Sequence, residues 1–217
     1  MSGAVFDIDG DRFLPAPASR AEWYADALHG GPVAALFARQ MERVEAPAPM
    51  MVARLTVDLM RPVPTQPLTV KTKVARAGKR IQVSDAVMEA DGLEVARASA
   101  LRIRVDDVAV PEHPRRELIA PPGGIDSYPM REAEGEWFHT RAAEARFVEG
   151  DFYEPGPATV WMRLVMPLFA GEEPTPLQRV AAVSDFGNGL SRVLPTGWLF
   201  INGDLTVKLG WPLPHIR

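Results

Sequence analysis

The chain has 217 residues, of which 47% are hydrophobic and 24% are charged, and its formal net charge is -4. This length and composition are typical of a globular protein with one large or two small domains. A slightly acidic chain lacks the clustered basic surface of nucleic-acid-binding proteins, so we expect no nucleic-acid partner. The absence of cysteine excludes disulfides, a thiolate nucleophile and a cysteine-ligated metal, and it fits a reducing, cytoplasmic setting.

The N-terminal segment indicates neither export nor membrane insertion. Acidic residues begin at Asp7 and no apolar region follows a basic start, so we expect no signal peptide. The longest apolar stretch, residues 32–38, is far shorter than the ~20 residues that a membrane-spanning helix needs. We therefore expect no membrane association.

The first half of the chain predicts an N-terminal strand, a helix and then an antiparallel meander. Pro32 suits a first helical turn, and apolar residues recur at helical spacing as far as Val44. Strand-like runs with partial period-two alternation follow at residues 68–75, 80–90 and 94–105. Asp91 and Gly92 separate the last two runs and are a good hairpin signal. One helix packed on one curved antiparallel sheet would bury both apolar faces.

A short repeat relates this half to the second. Residues 55–62 read LTVDLMRP and residues 205–212 read LTVKLGWP, so five of the eight positions match when Leu55 is aligned with Leu205. Each copy follows a helical segment. In the second half Thr175 is a natural N-cap and Pro176 a natural first helical residue, which predicts a helix over residues 175–194.

The repeat also predicts how the chain is divided. We expect an N-terminal unit, a Pro- and Gly-rich surface linker and a C-terminal unit at residues 1–106, 107–135 and 136–217. The second unit restarts with strand-like runs at residues 136–147 and 158–166.

The second copy of the repeat stands close to the end of the chain. A whole meander follows the first LTV strand, whereas the chain ends soon after the second, so we expect the last three strands of the second sheet to be missing. Either the chain is a shortened form or something else covers that surface. A second half that is simply shorter is the remaining alternative.

These segments together resemble the acyl-CoA thioesterase II family. HGGPVAALFARQME, LTVDLMRPVP and ARASALRIRV are similar to the N-terminal hotdog of that family. WMRLVMPLFAGEEPTPLQRVAAVSDFGNGLSRVLP followed by WLFINGDLTVKL is similar to the start of its second hotdog. The resemblance implies an α+β double hotdog, with two long helices each wrapped by an antiparallel β-sheet. It also implies a homo-oligomer that hydrolyses fatty acyl-CoA to free acid and CoA through an oriented water, without a cofactor.

The resemblance implies a site built from an aspartate on the second helix, a polar residue entering the next strand and a late-strand glutamine. The first two positions are Asp185 and Asn202 here, with asparagine where the better-studied enzymes have threonine. The glutamine would lie in the region that the chain lacks. With the two repeat copies aligned, Asp185 corresponds to Ala35 and Asn202 to Val52, so we expect the site in the second half alone.

The residues themselves leave alternatives at each candidate position. Asp185 lies on an apolar helix face, where a carboxylate needs a partner, so it either activates water or bonds structurally to backbone or to Arg192. Asn188 either supports Asp185 or helps to bend the helix near its glycines. Gly30 and Gly31 open the first helix, where their amides form either an anion cradle for substrate or only a tight turn.

Three kinds of function remain open at this point, namely thioester hydrolysis, non-catalytic acyl binding or scaffolding, and hydration. The chain has no cysteine and no G-x-S-x-G motif, and its four histidines show no ligand spacing, so an activated water is the simplest nucleophile and no metal is expected. The alternative is a non-catalytic hotdog protein that binds acyl groups or acts as a scaffold. A hotdog hydratase ranks last, because no histidine closely follows Asp185. Arg61 and the basic residues of the meander either meet CoA phosphates or form a solvated sheet edge.

Overall fold

The computed structural model describes residues 3–24, 26–106, 135–150, 152, 155–190, 193–194, 198 and 201–210. The strands are β1 (Phe6–Asp9), β2 (Arg12–Pro15), β3 (Met50–Leu59), β4 (Leu68–Ala77), β5 (Ile81–Ala90), β6 (Leu93–Arg104), β7 (Ala143–Glu149), β8 (Thr159–Leu164) and β9 (Asp204–Lys208). The helices are α1 (Gly30–Glu42), α2 (Phe138–Arg141), α3 (Pro176–Ser184) and α4 (Gly187–Leu190). The large antiparallel sheet has the order β1-β2-β4-β5-β6-β3-β9, and β7 pairs with β8 separately.

The first half folds as its pattern predicts. The three strand-like runs become β4, β5 and β6, which pair as consecutive antiparallel hairpins. Asp91 and Gly92 form the tight turn between β5 and β6 with positive φ angles of 48° and 76°. Helix α1 is buried along almost its whole length because it lies between the large sheet and α3, and Phe37 on it is fully buried. This half therefore supplies the main core.

The two copies of the LTV repeat pair with each other in one sheet. Strand β9 lies antiparallel to β3, and their register is Leu55↔Val207, Thr56↔Thr206 and Val57↔Leu205. Equivalent positions of the two copies exchange places across the central threonine pair, as they would about a local two-fold axis. The repeat copies are therefore equivalent strands, and the large sheet continues from the first half of the chain into the second.

Helices α1 and α3 pack antiparallel and in direct backbone contact. Gly31 in the first turn of α1 lies against the end of α3, and Glu42 at the end of α1 lies beside Thr175, the N-cap of α3. A Cβ atom on Gly31 would lie only 2.2 Å from the carbonyl oxygen of Ala182, so this approach requires glycine. The glycine thus serves close helix packing.

The second half departs from its pattern at two places. The predicted helix over residues 175–194 is wrong in length, because α3 ends at Ser184 and Asp185 forms its C-cap before the short α4. The predicted strand at residues 136–147 instead begins with the helical turn α2, whereas β8 confirms the next one.

The break after α3 has a counterpart in the spacing of the repeat. When Leu205 is aligned with Leu55, His29, the N-cap of α1, corresponds to Arg179 and not to Thr175, the N-cap of α3. The second half therefore has a longer segment between its N-cap and its LTV strand, and this extra length must be fitted between the two elements.

Parts of the prediction fall outside the described residues. Most of the linker, residues 107–134, and the segment after the second LTV strand, residues 211–217, are among them. None of the helices in the described ranges combines the length and the hydropathy needed to cross a bilayer. In the same ranges no three histidine or acidic side chains converge on a possible metal position.

Candidate active site

A cavity of about 360 Å³ opens at the start of α1. It lies between the segment that precedes α1, the segment after β3, the turn between α3 and α4, and the segment before β9. Its polar lining comes from Asp185, Asn188, Asn202 and Arg61. The rest is largely apolar, with Leu28, Val33, Leu59, Met60, Val63 and Ile201 among the lining residues. A mostly apolar concavity with a few convergent polar groups is the usual form of a small-molecule site.

Asp185 lines this cavity and is only 9% exposed. Its Oδ2 is 2.9 Å from Nδ1 of His29, and its Oδ1 accepts a hydrogen bond of 2.7 Å from Nδ2 of Asn202. The backbone N–H of Gly30 also donates to the carboxylate. The carboxylate is thus held by donors from both halves of the chain.

These contacts determine the charge of the Asp185 carboxyl group. Burial is the largest single influence and acts to raise its pKa. The hydrogen bond and charge of His29, together with the bonds from Asn202 and Gly30, outweigh burial and lower the pKa below the ordinary value of 3.8. The positive end of helix α1 acts in the same direction. Asp185 is therefore ionised at neutral pH.

His29 is the N-cap residue of α1 and is only 3% exposed. Its Nδ1 also lies 3.1 Å from the backbone nitrogen of Gly31. One ring nitrogen cannot accept from Gly31 and donate to Asp185 at the same time. Because a hydrogen bond to an ionised carboxylate is the stronger of the two, we assign the hydrogen to Nδ1 and the bond to Asp185. The rings of Phe138, Phe186 and Trp23 surround the imidazole.

Asp185 can approach α1 this closely because residue 30 is glycine. A Cβ atom at Gly30 would lie 2.6 Å from Oδ2 of Asp185. The break between α3 and α4 is the second requirement, since it makes Asp185 a C-cap residue whose side chain turns toward the start of α1. Local chain geometry in both halves thus brings the carboxylate to the helix N-terminus.

The sequence-predicted site residues are placed together with one exception. Asp185, Asn202, Asn188 and Gly30 all line the cavity. Gly31 is absent from the lining and instead packs against Ala182 of α3. The amide of Asn202 donates to the side chain and to the backbone oxygen of Asp185. Asn202 therefore positions Asp185, whereas the resemblance implies that it helps to orient the water. The cluster includes His29 and Gly30, so it spans both halves and does not lie in the second half alone.

Sequence reasoning missed two residues of this site. The sequence places His29 only at the start of the first helix, and no local pattern links it to Asp185 in the other half of the chain. Trp23 carried no sequence signal, yet it lines the cavity. The alternative partner Arg192 lies outside the described residues.

Comparison with protein families identifies both halves of the chain. The acyl-CoA thioesterase N-terminal domain matches residues 19–103, and the acyl-CoA thioesterase C-terminal domain matches residues 122–213. Together the two matches cover well over half of the chain. A comparison with curated proteins gives no significant match.

Solved structures with a similar fold have low sequence identity. A hotdog-fold protein of unknown function from Alicyclobacillus acidocaldarius is 19% identical, with a TM-score of 0.68 and 97% of this chain and 78% of that chain covered. A candidate thioesterase II from Thermobifida fusca is 16% identical, with a TM-score of 0.64 and coverages of 94% and 77%. A candidate thioesterase from Novosphingobium aromaticivorans is 16% identical, with a TM-score of 0.61 and coverages of 84% and 71%. These similarities confirm the predicted α+β hotdog fold.

Proposed function

The chain belongs to the acyl-CoA thioesterase family, and from this premise we propose that it hydrolyses acyl-CoA thioesters to free acid and CoA. The observation that supports this most directly is the ionised Asp185 carboxylate, which is fixed by His29, Asn202 and the Gly30 amide and lines a largely apolar cavity. Thioester hydrolysis without a covalent intermediate needs a water held against the carbonyl carbon and a group that takes its proton. A buried and preorganised carboxylate meets both needs.

The proposed reaction uses Asp185 in two steps. The carboxylate accepts a hydrogen bond from water and takes its proton while the water oxygen attacks the thioester carbonyl carbon. The tetrahedral intermediate then collapses, the carbon–sulfur bond breaks, and the proton passes to the leaving thiolate of CoA. The products are the free acid and the CoA thiol, and Asp185 is again ionised. Its lowered pKa makes it a weak base, so orientation of the water is its larger contribution.

The tetrahedral oxyanion needs hydrogen-bond donors close to Asp185. We propose that the side-chain amide of Asn188, which lines the same cavity, supplies one of them, with support from the positive end of α1. Gly30 then acts by holding the carboxylate, and Gly31 by allowing the helices to approach. Asn202 and His29 are positioning residues in this mechanism.

The cavity also has complementary surfaces for the two parts of an acyl-CoA. Its apolar lining, which includes Val33, Leu59 and Val63, suits a fatty acyl group. Arg61 lies at the cavity and is exposed, so its guanidinium group can reach the phosphates of CoA. The exposed Lys71 and Lys73 on β4 lie outside this lining, which favours their interpretation as a solvated sheet face.

One observation favours the alternative of acyl binding without turnover. The Asp185 carboxylate already receives three donors that connect the two halves of the chain, and such a contact would also serve a purely structural purpose. A hydratase remains the least favoured candidate, because His29 is buried behind Asp185 and does not line the cavity.

A thiol-release assay tests the proposal. Purified protein would be given acyl-CoAs of several chain lengths, and free CoA thiol would be followed for the wild type and for Asp185→Asn. We expect Asp185→Asn to lower kcat/KM by about 10²- to 10⁴-fold while acyl-CoA still binds. Glu42→Gln is the matched control, since it removes a half-buried carboxylate at the other end of the helix pair. Absence of wild-type release with tight acyl-CoA binding would establish the alternative, and equal rates in both variants would contradict the role of Asp185.

Three further features belong to the same proposal. We retain the division of the chain into residues 1–106, 107–135 and 136–217, since each family match falls largely within one of the two larger segments. We also propose a homo-oligomer, as the resemblance implies, and a cytoplasmic location, for which the lack of cysteine is the support.

A further inference from the structure

Trp23 is unusual among the residues of the cavity because its large aromatic side chain is both exposed and fixed. It lies in the segment before α1, lines the cavity and is 45% exposed. Tryptophan is highly buried on average in folded proteins and is enriched among the residues that contribute most to binding, so a partly exposed tryptophan in a cavity lining is a candidate binding residue. The part of a thioester substrate that it would contact follows from its surroundings.

The indole of Trp23 is held in place from behind by His139. The two rings are stacked with a centroid separation of 6.2 Å and an interplanar angle of 12°. His139 is 4% exposed, and its Nε2 lies 3.4 Å from the carboxylate of Glu22. Burial, and to a lesser degree the neighbouring His29, lowers the pKa of His139 to about 4, so the ring is neutral at pH 7. The stack therefore presents a rigid, flat and uncharged surface.

This flat surface lies next to the proposed reaction centre. The rings of Trp23 and His29 have centroids 5.7 Å apart, and His29 contacts Asp185 at 2.9 Å. When the thioester carbonyl lies at Asp185, only the substrate atoms close to that carbonyl can contact the indole of Trp23. The adenine ring of CoA lies at the far end of a long pantetheine arm and cannot reach this position when the thioester is at Asp185. The group that contacts Trp23 is therefore one of the two next to the thioester, either the acyl group on the carbonyl carbon or the first atoms of the pantetheine arm.

We propose that Trp23 selects arylacyl-CoA thioesters, in which a planar aromatic ring lies one or two carbons from the thioester carbonyl. This inference rests on the proposed hydrolase function and specifies its substrate class. An aromatic ring in offset or edge-to-face contact with the indole gains free energy beyond its buried area, whereas a saturated ring of the same size gains only the burial. Tyr24, which also lines the cavity, adds a second aromatic side chain to the same wall.

The test compares phenylacetyl-CoA with cyclohexylacetyl-CoA, which have the same length and a similar ring size but differ in aromaticity. We expect the wild type to hydrolyse the aromatic substrate with a kcat/KM about 3- to 10-fold higher. In Trp23→Leu this ratio should fall toward one, mainly through KM, and in Trp23→Phe, which keeps a flat aromatic face, most of it should return. Trp161→Leu is the matched control, because Trp161 is an exposed tryptophan on β8 away from the cavity lining.

The outcomes separate this inference from the proposed function. If both substrates are hydrolysed in an Asp185-dependent way with equal kcat/KM, the aryl preference is wrong and the hydrolase proposal stands. If Trp23→Leu weakens both substrates and free CoA to the same extent, Trp23 contacts the pantetheine arm, and the inference is also wrong. If neither these substrates nor aliphatic acyl-CoAs release thiol, the hydrolase proposal itself fails. The wild-type ratio needs no variant, so a folding defect in Trp23→Leu leaves the test decisive.

Discussion

Both ends of the antiparallel α1–α3 pair have a carboxylate at a helix N-terminus, but the groups around the two carboxylates differ. At the Asp185 end, the carboxylate of Asp185 lies at the N-terminus of α1, against His29 and Gly30. At the Glu42 end, the carboxylate of Glu42 lies at the N-terminus of α3. It accepts hydrogen bonds of 2.9 Å from Oγ1 of Thr175 and 2.8 Å from Nε2 of Gln178. Each helix therefore places a carboxylate at the start of the other.

The pKa values of the two carboxyl groups move in opposite directions. Burial raises the pKa of Glu42, and the bonds from Gln178 and Thr175 and the charges of Arg102 and Arg43 do not fully offset it. At Asp185 burial is also the largest influence, but His29 and the other donors reverse it. The hydrogen-bond donors to Glu42 are neutral side chains, and the two arginines act on it only through their charges, whereas His29 both donates to Asp185 and acts on it through its charge. The Asp185 end opens onto the 360 Å³ cavity, whose lining does not include Glu42.

Among substitutions that leave Asp185 itself in place, the largest expected effect comes from Gly30→Ala, which disturbs the Asp185 end alone. The new Cβ atom would lie 2.6 Å from Oδ2 of Asp185, so the carboxylate must move away from His29 and Asn202. We expect kcat/KM for acyl-CoA hydrolysis to fall by about 100-fold, as displacements of about 1 Å can cause. The control is Gly187→Ala, whose Cβ atom meets nothing within 4 Å. Equal activity in the two variants would show that the position of the carboxylate does not matter.

Gly31→Ala should affect stability more than chemistry. Its Cβ atom would lie 2.2 Å from the backbone oxygen of Ala182, which cannot move without separating α1 from α3. We expect the free energy of unfolding, measured by urea denaturation, to fall by about 1–3 kcal/mol. An unchanged denaturation midpoint would contradict the close packing of the two helices.

His29→Asn removes the imidazole but keeps a side chain that can cap α1. Without His29 the pKa of Asp185 should rise, so the acid limb of the kcat/KM profile should move to higher pH. At neutral pH we expect a loss of about 10-fold, which corresponds to one hydrogen bond to a charged group. Because the wild-type pKa is lowered, the stabilisation by Asp185 is present above the ordinary value of 3.8 and is lost as pH falls through the folded pKa. An acid limb that does not move in the variant would show that His29 does not lower the pKa of Asp185.

Glu42→Gln should have the smallest effect and marks the other end of the comparison. The raised pKa of Glu42 means that its contribution to stability is full below the ordinary value of 4.5 and is lost as pH rises through the folded pKa. As pH rises from 4.5 through the folded pKa of Glu42, the free energy of unfolding of the variant should therefore increase relative to that of the wild type. We expect a change at pH 7 of less than about 1 kcal/mol and unchanged hydrolysis. A loss of thiol release in this variant would show that the Glu42 end takes part in the chemistry.

The sequence pattern was sufficient to predict secondary structure where the local preference of a segment agrees with its tertiary packing. The helix with Pro32 in its first turn, the meander with its Asp91–Gly92 turn, and the β-structure of the LTV repeat are all confirmed. The helix over residues 175–194 failed because its composition remains helical past Ser184, while the longer segment between the second N-cap and its strand is taken up by a turn at Asp185. Propensity is a weak preference that such a tertiary requirement overrides.

By itself the sequence determined the equivalence of the two LTV strands, because repetition is a property of the chain. Its resemblance to the acyl-CoA thioesterase II family supplied the fold and the candidate polar pair Asp185 and Asn202. Only the tertiary structure decided that His29, from the other half, is the partner of Asp185, and that Trp23 faces the same cavity. The physical reason is distance along the chain. Packing α1 against α3 brings together residues from opposite halves of the chain, and no local pattern records a contact made across that separation.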